Sequence, residues 1–388
     1  MSKMGTNTRR EHWIDLLRGC CMLAILLFHT ESYVAGEALI PYYLYIGDAL
    51  VIFFYLSGYL IFRSEGFSLR HKMRSILHRL VIPYLAFTTL MAIPKALAHG
   101  MTLSSNTMHL LVESIVLGQA SWFVAALIVA ELIFALILRV SRENIWAVVL
   151  TAVLGLPTSL FVSRHRGECS VWQLNQALLA LSYLALGYSI HRMKKTLSLQ
   201  REWNRTNQKK GILFPSRFFF LSGARKQLCS PLKVMMFIAA LATSMIIKGL
   251  ERKSGGNFIL CPLQISDGVL FTADSLLSIF LTTEVCQGLE QLRLHKDTAF
   301  NSLEAITRRL LWLLEHTGRQ SLVYYFFCGG IPLLVSRALP HIGLAYDGSY
   351  GIILLAFALV YLITGILADL CYRYCPQLVG NKSREATT

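Results

Sequence analysis

Two side chains in the first apolar stretch, Arg18 and His29 of WIDLLRGCCMLAILLFHTESY (Trp13 to Tyr33), are of types that do chemistry. An imidazole can take a proton from a hydroxyl near neutral pH, and a guanidinium grips phosphate oxygens in pairs. They are eleven positions apart, with ten residues between. At 3.6 residues per turn that is close to three turns, so both leave a helix on one face, roughly 16 Å apart along its axis. A cation inside a membrane span costs about 2.5–3.5 kcal/mol on insertion scales, which asks for a reason. The ordinary reason is that Arg18, close to Arg9, Arg10 and Glu11, snorkels to the interface, and a lone membrane His is often a packing residue.

Further candidates follow along the chain. Asp48, near the outer end of the second apolar stretch, is expected at about the depth of His29, where a carboxylate would fix the imidazole tautomer and stabilise its charged form. The alternative is that it caps the helix start. Glu31 is a poorer partner, since two positions on a helix point to different faces. Ser57-Gly58 is either a close packing point or an opening on a substrate path. The basic segment RSEGFSLRHKMRSILHRLVIPYL offers Arg70, Lys72, Arg74 and Arg79 to phosphates, or simply anchors the next span. Pro83 would kink that span or mark its first turn.

Trp122 is read as a belt residue at the start of the fourth span, on the same substrate path. Glu131 falls near the midplane, where a carboxylate is a functional candidate by default. Asp267 and Asp274, seven apart, share a helix face, with Glu284 further in; they could pair with Lys248 or Arg18, or line a polar cavity. No phosphate-cradling Gly loop, GxSxG, HExxH or Walker motif is present, and the nine Cys lack metal spacing, so neither a metal nor a disulfide framework is expected.

The elements that must position these residues are membrane helices. With 54% hydrophobic and 15% charged residues and a mean hydropathy of +0.51, the 388-residue chain reads as a polytopic, all-α membrane bundle. Ten spans are expected, at about 13–34, 46–63, 80–98, 121–139, 145–163, 172–191, 233–250, 267–287, 319–338 and 350–371. The first has no small-residue cleavage site and is expected to stay as a span. With both termini cytoplasmic, inner segments hold about 30 of the 37 Lys and Arg. That bias, and not nucleic acid, explains the formal charge of +15.

The expected organisation is a single membrane domain over 1–388, with a cytoplasmic tail 1–12, a basic inner loop 192–233 and a C-terminal tail 372–388. The inner loop either attracts anionic lipid or docks a polyanionic donor. Residues 301–316 are expected to form an amphipathic helix along the inner interface. No internal repeat and no pair of broken helices is read from the pattern.

In combination the motifs resemble the acyltransferase type 3 family of integral membrane O-acyltransferases. Such members have ten spans, an Arg and a His separated by ten residues in the first, an FFxLSG-like string in the second, and a basic segment ending R-x-x-[IL]-P-Y. This chain has Arg18 to His29, FFYLSGYLIF from Phe53, RLVIPYL from Arg79, SWFVAALI from Ser121 and GRQSLVYYF from Gly318. It departs at Val51, where many members carry Asp, at Ile76, where the first Arg of a pair would fall, and at Cys328, where some carry His.

The resemblance implies transfer of an acyl group, commonly acetyl, from cytosolic acyl-CoA to a hydroxyl of a cell-envelope or extracellular carbohydrate. His29 would be catalytic, with Asp48 as its candidate carboxylate. Arg18, Arg79 and Arg74 would meet the donor, which is a co-substrate and not a resident cofactor. The partners are then the donor, a carbohydrate or lipid-linked glycan and the bilayer, in a multi-pass protein of the cell membrane. The rival from another class is a transporter or flippase exporting a glycan or lipid precursor, for which Glu131, Asp267 and Asp274 would line a path or a proton relay.

Overall fold

The computed structural model of the protein describes residues 11–64, 66–102, 104–166, 171–209, 230–254, 258–294 and 302–380. These form an all-α bundle, because a backbone without water must satisfy its hydrogen bonds within each segment. One short antiparallel hairpin, Phe258–Ile259 against Gln264–Ile265, is the exception. By length and composition eight described helices can cross a membrane, or nine if a bent pair counts as one span.

Most expected spans reappear within a few residues. They are α1 (His12–Val34), α2 (Tyr42–Ile61), α6 (Trp122–Val140), α7 (Ile145–Arg166), α9 (Ser230–Ser254), α10 (Gly268–Leu294) and α14 (Tyr350–Tyr374). The third begins earlier than expected. α3 (Leu69–Ile76), a π-helical turn (Leu77–Val81) and α4 (Ile82–Ala98) make one 30-residue run, with the Ile82 N–H reaching back to the Leu77 carbonyl. Pro83 follows that turn directly and neither starts the helix nor stops it. Its ring would crowd the carbonyl four residues back, and the wider π turn makes room. The α5 helix (Ser105–Val116), which the pattern did not suggest, is capped by Ser104, whose hydroxyl accepts from the Thr107 N–H at 3.2 Å.

Two spans depart from expectation. The stretch 172–191 lies in α8 (Leu174–Lys209), whose 36 residues would extend roughly 54 Å at 1.5 Å per residue. It falls short as an apolar span because Asn175, Gln176 and Ser182 interrupt it, yet all three are buried against protein. The stretch 319–338 is not one helix. α12 (Ser321–Phe327) and α13 (Ile331–Ala338) are bent by 47° across Cys328, Gly329 and Gly330. Pro332 cannot donate to the Cys328 carbonyl, and two glycines supply the conformational freedom, so the ladder breaks there. The single continuous span expected at 319–338 is thereby corrected.

Packing divides the chain into two compact units: Met1–Pro41 with Ile93–Met101 and Thr282–Thr388, and Tyr42–Ala92 with Thr102–Leu281. In the first, α1 packs on α11 (Ser302–Arg319), α13 and α14. The α1–α11 contact is close enough that a Cβ on Gly318 would overlap the Asp15 carbonyl, and one on Gly19 the Leu314 carbonyl. The helix expected over 301–316 is present as α11, with its C-terminal half docked on α1 and Ile306, Leu310 and Trp312 exposed.

In the second unit α8 is surrounded by α2, α6 and α7. Its backbone meets α2 at Gly58, where a Cβ would overlap Leu184. Phe54 of α2 stacks on Phe123 of α6 with ring centroids 4.7 Å apart. The described part of the basic loop, to Lys209, continues α8; residues 210–229, with RFFF, and the ends of both tails lie outside the described residues.

Candidate functional site

His29 lies one turn before the end of α1, half-buried, with its ring stacked on Tyr33 at 6.2 Å and 18°. Tyr33 in turn meets the ring of His99, which follows α4, at 6.2 Å. Between Arg18 and His29 the same helical face carries Met22 and Ile25, 0% and 3% exposed. The face that joins the two candidates is thus turned into protein and not toward lipid.

Lys95, near the end of α4, comes close to the broken span: a Cβ on Gly329 would lie 3.8 Å from its Nζ. Its charge acts on His29, His99 and Cys328. Desolvation, then the charges of Lys95 and Arg337, hold the His99 imidazole below its usual range. Glu31, on another face of α1, is fully buried; it accepts from the Tyr350 hydroxyl at 2.5 Å and the Ile40 N–H at 3.2 Å. It is a structural anchor between α1 and α14.

At the other end of α1, Arg18 is half-buried, and its charge reaches the Tyr372 hydroxyl of α14. One turn before it, Asp15 meets Arg319 Nε at 3.6 Å. Arg319 also donates to Glu315 at 3.1 Å, whose carboxylate lies 3.4 Å from His12 Nδ1. This ionic belt ties the start of α1 to the end of α11.

Asp48 lies inside the second unit, six residues into α2, so helix capping is not its role. Its Oδ2 accepts from Lys248 Nζ at 2.7 Å. Lys248 also donates to Asp274 at 2.8 Å and to the Tyr43 carbonyl at 3.0 Å, so its three protons have three acceptors. The other Asp274 oxygen takes the Ser244 hydroxyl at 2.6 Å. The pairing of Asp274 with Lys248, one of the alternatives left open by the sequence, is the one adopted. Asp267 is exposed and accepts from the Val269 and Leu270 N–H groups at 2.8 and 3.0 Å, capping α10, and Glu284 is exposed on the same helix.

Glu131 of α6 is paired with Lys72 at 2.7 Å, which removes Lys72 from the cations available to a ligand. Arg70, Arg74 and Arg79 remain exposed on α3 and the π turn. Trp122 opens α6 half-buried, edge-on to Phe123 at 5.7 Å. Ser57 is half-buried beside Gly58, at the tight α2–α8 contact, which favours packing over an opening there.

The residues that sequence reasoning passed over are Lys95, Tyr33 and His99. A signal was available for one of them: Lys95 is a single cation in the apolar run MAIPKALA, the same anomaly that drew attention to Arg18.

No curated protein and no solved structure matches the chain. The family model described as an acyltransferase domain, type 3, does match it, over residues 11–373. That match takes in every candidate above. The chain belongs to this acyltransferase family and is a multi-pass membrane protein that transfers acyl groups.

Proposed function

We propose that the protein moves an acyl group, commonly acetyl, from cytosolic acyl-CoA to a hydroxyl of a cell-envelope or extracellular carbohydrate. The observation that carries this reading is the inward face of α1, with a guanidinium at one end, an imidazole three turns on, and buried Met22 and Ile25 between. The spacing suits a donor whose phosphates meet Arg18 while its long arm extends toward His29; Arg74 and Arg79 remain exposed in the second unit. His29 takes the proton of the acceptor hydroxyl as that oxygen attacks the thioester carbonyl. Collapse of the tetrahedral adduct breaks the C–S bond, and the departing CoA thiolate recovers the proton from the imidazolium. Asp48, tied to Lys248 in the other unit, enters as a residue whose contribution is tested by Asp48→Asn; folded protein with lost transfer would give it a part in the chemistry.

The test uses the full chain in vesicles supplied with radiolabelled acetyl-CoA. His29→Ala is expected to abolish labelling of surface glycans at unchanged protein level, and retained labelling would remove the imidazole from the mechanism. Arg18→Ala is expected to raise the KM for acetyl-CoA more than it changes acceptor preference. The transporter alternative loses its support residue by residue, since Glu131, Asp274 and Asp267 are occupied by Lys72, by Lys248 and by the cap of α10.

A further inference from the structure

The Lys95 ammonium makes no ion pair or hydrogen bond with any described residue, although the side chain is half-buried in an apolar bundle. An ammonium group in that setting is costly unless an anion joins it. Among the described residues no carboxylate pairs with it, and Glu31 of α1 is consumed by Tyr350 and Ile40. Arg337 of α13 and His99 are both exposed; His99 follows Lys95 by one turn, its N–H donating to the Lys95 carbonyl at 3.0 Å, and the charges of Lys95 and Arg337 both act on His99. The break between α12 and α13 brings the small residue Gly329 against Lys95, leaving the ammonium uncovered by a side chain there. Arg337 and His99 are exposed, whereas Lys95, Tyr33 and His29 are half-buried.

We propose that Lys95, with Arg337 and His99 at the mouth, binds an anionic group of the acceptor, a carboxylate or a phosphate, and so presents the acceptor's hydroxyl to His29. The acceptor class is then an acidic sugar or a sugar phosphate, in preference to a neutral glycan. A charge-assisted hydrogen bond to a desolvated ammonium gives both the affinity and the orientation. Lys95 is in this role a binding residue for the acceptor, and the donor phosphates belong to the opposite end of α1. The inference rests on the reading of His29 as the base.

The experiment uses the full chain in nanodiscs of zwitterionic lipid, with methyl glucuronide, glucose 1-phosphate and methyl glucoside as probes. Modification of Lys95 by an amine-reactive ester, followed by peptide mass spectrometry, is expected to slow about fivefold or more with an acidic probe and not with the glucoside. Protection by the glucuronide alone or by the phosphate alone identifies the anion. The same protection is expected in His29→Ala, since binding does not need the base. Transfer of labelled acetyl is expected to favour the acidic over the neutral probe by about tenfold. Lys95→Gln should bring that ratio near one through KM, and Lys95→Arg should restore it. Equal protection by the glucoside, protection by CoA in place of the sugars, no protection by any probe, or an unchanged ratio in Lys95→Gln overturns the proposal. Intact protection with transfer that survives in His29→Ala overturns the base assignment and leaves the anion site standing.

Discussion

At the scale of single residues, the ion cluster of Asp48, Lys248 and Asp274 is the most sensitive point outside the candidate base. Lys248 is 6% exposed and satisfies two carboxylates at once. Its removal leaves both of them buried without a counter-charge, which costs about 3–5 kcal/mol in comparable settings. Lys248→Met is therefore expected to lower the apparent Tm in detergent sharply, and adding Asp274→Asn should recover part of the loss. A Lys248→Met protein as stable as the parent would mean that the cluster is solvated in the membrane. The Lys72–Glu131 pair has the same logic, with one carboxylate at stake. These pairings were only partly legible in advance. The apolar context marks Glu131 and Asp274 as anomalies, but the partner of Asp48 stands 200 residues away, and local pattern carries nothing about it.

Helices are the scale at which small residues matter. Gly318 and Gly19 let α1 and α11 approach until backbone meets backbone, and this contact sets the rotation of α1 and hence of its Arg18–His29 face. Gly318→Ala is expected to destabilise the protein by several kcal/mol, in the range of overpacked cores, because a backbone carbonyl cannot step aside as a side chain can. Gly249→Ala, where a Cβ meets nothing within 4 Å, is the matched control and is expected to be neutral or slightly stabilising. Gel-filtration profiles of the two variants in the same detergent read the difference.

The α8 helix makes the complementary point. Its Asn175 and Gln176 lower the hydropathy of the segment, yet both are buried in a helix that packs on α2, α6 and α7. Hydropathy measures what a segment is made of, whereas insertion depends on which of its faces the lipid sees.

Over the whole molecule, the count of crossings fixes which side each end occupies. Eight apolar helices and the bent pair make nine candidate crossings among the described residues, and a crossing by α8 would make ten and return both ends of the chain to one side. Cysteines placed one at a time near Leu174 and near Lys194 are expected to react with a membrane-impermeant maleimide from opposite faces of sealed vesicles. Reaction of both from one face would mean that α8 does not cross, and the two ends would then be found on opposite sides.

What the sequence determined by itself is the set of elements and one helix face. Roughly 20 apolar residues in lipid have no option but helix, so span positions follow from composition. The 3.6-residue period puts Arg18 and His29 in line whatever surrounds them. The break in the span at Cys328 to Gly330 could have been suspected from its Gly-Gly and Pro332, yet the apolar pattern runs through it without interruption. Tertiary structure alone decided which charges are already neutralised and which are left for a ligand. Glu31, Glu131 and Asp274 look alike as acids in apolar runs, and Lys72, Lys95 and Lys248 look alike as cations. Among the described residues, only packing assigns partners to all of these side chains but that of Lys95, because an ion pair inside a bilayer depends on the approach of helices distant in the chain.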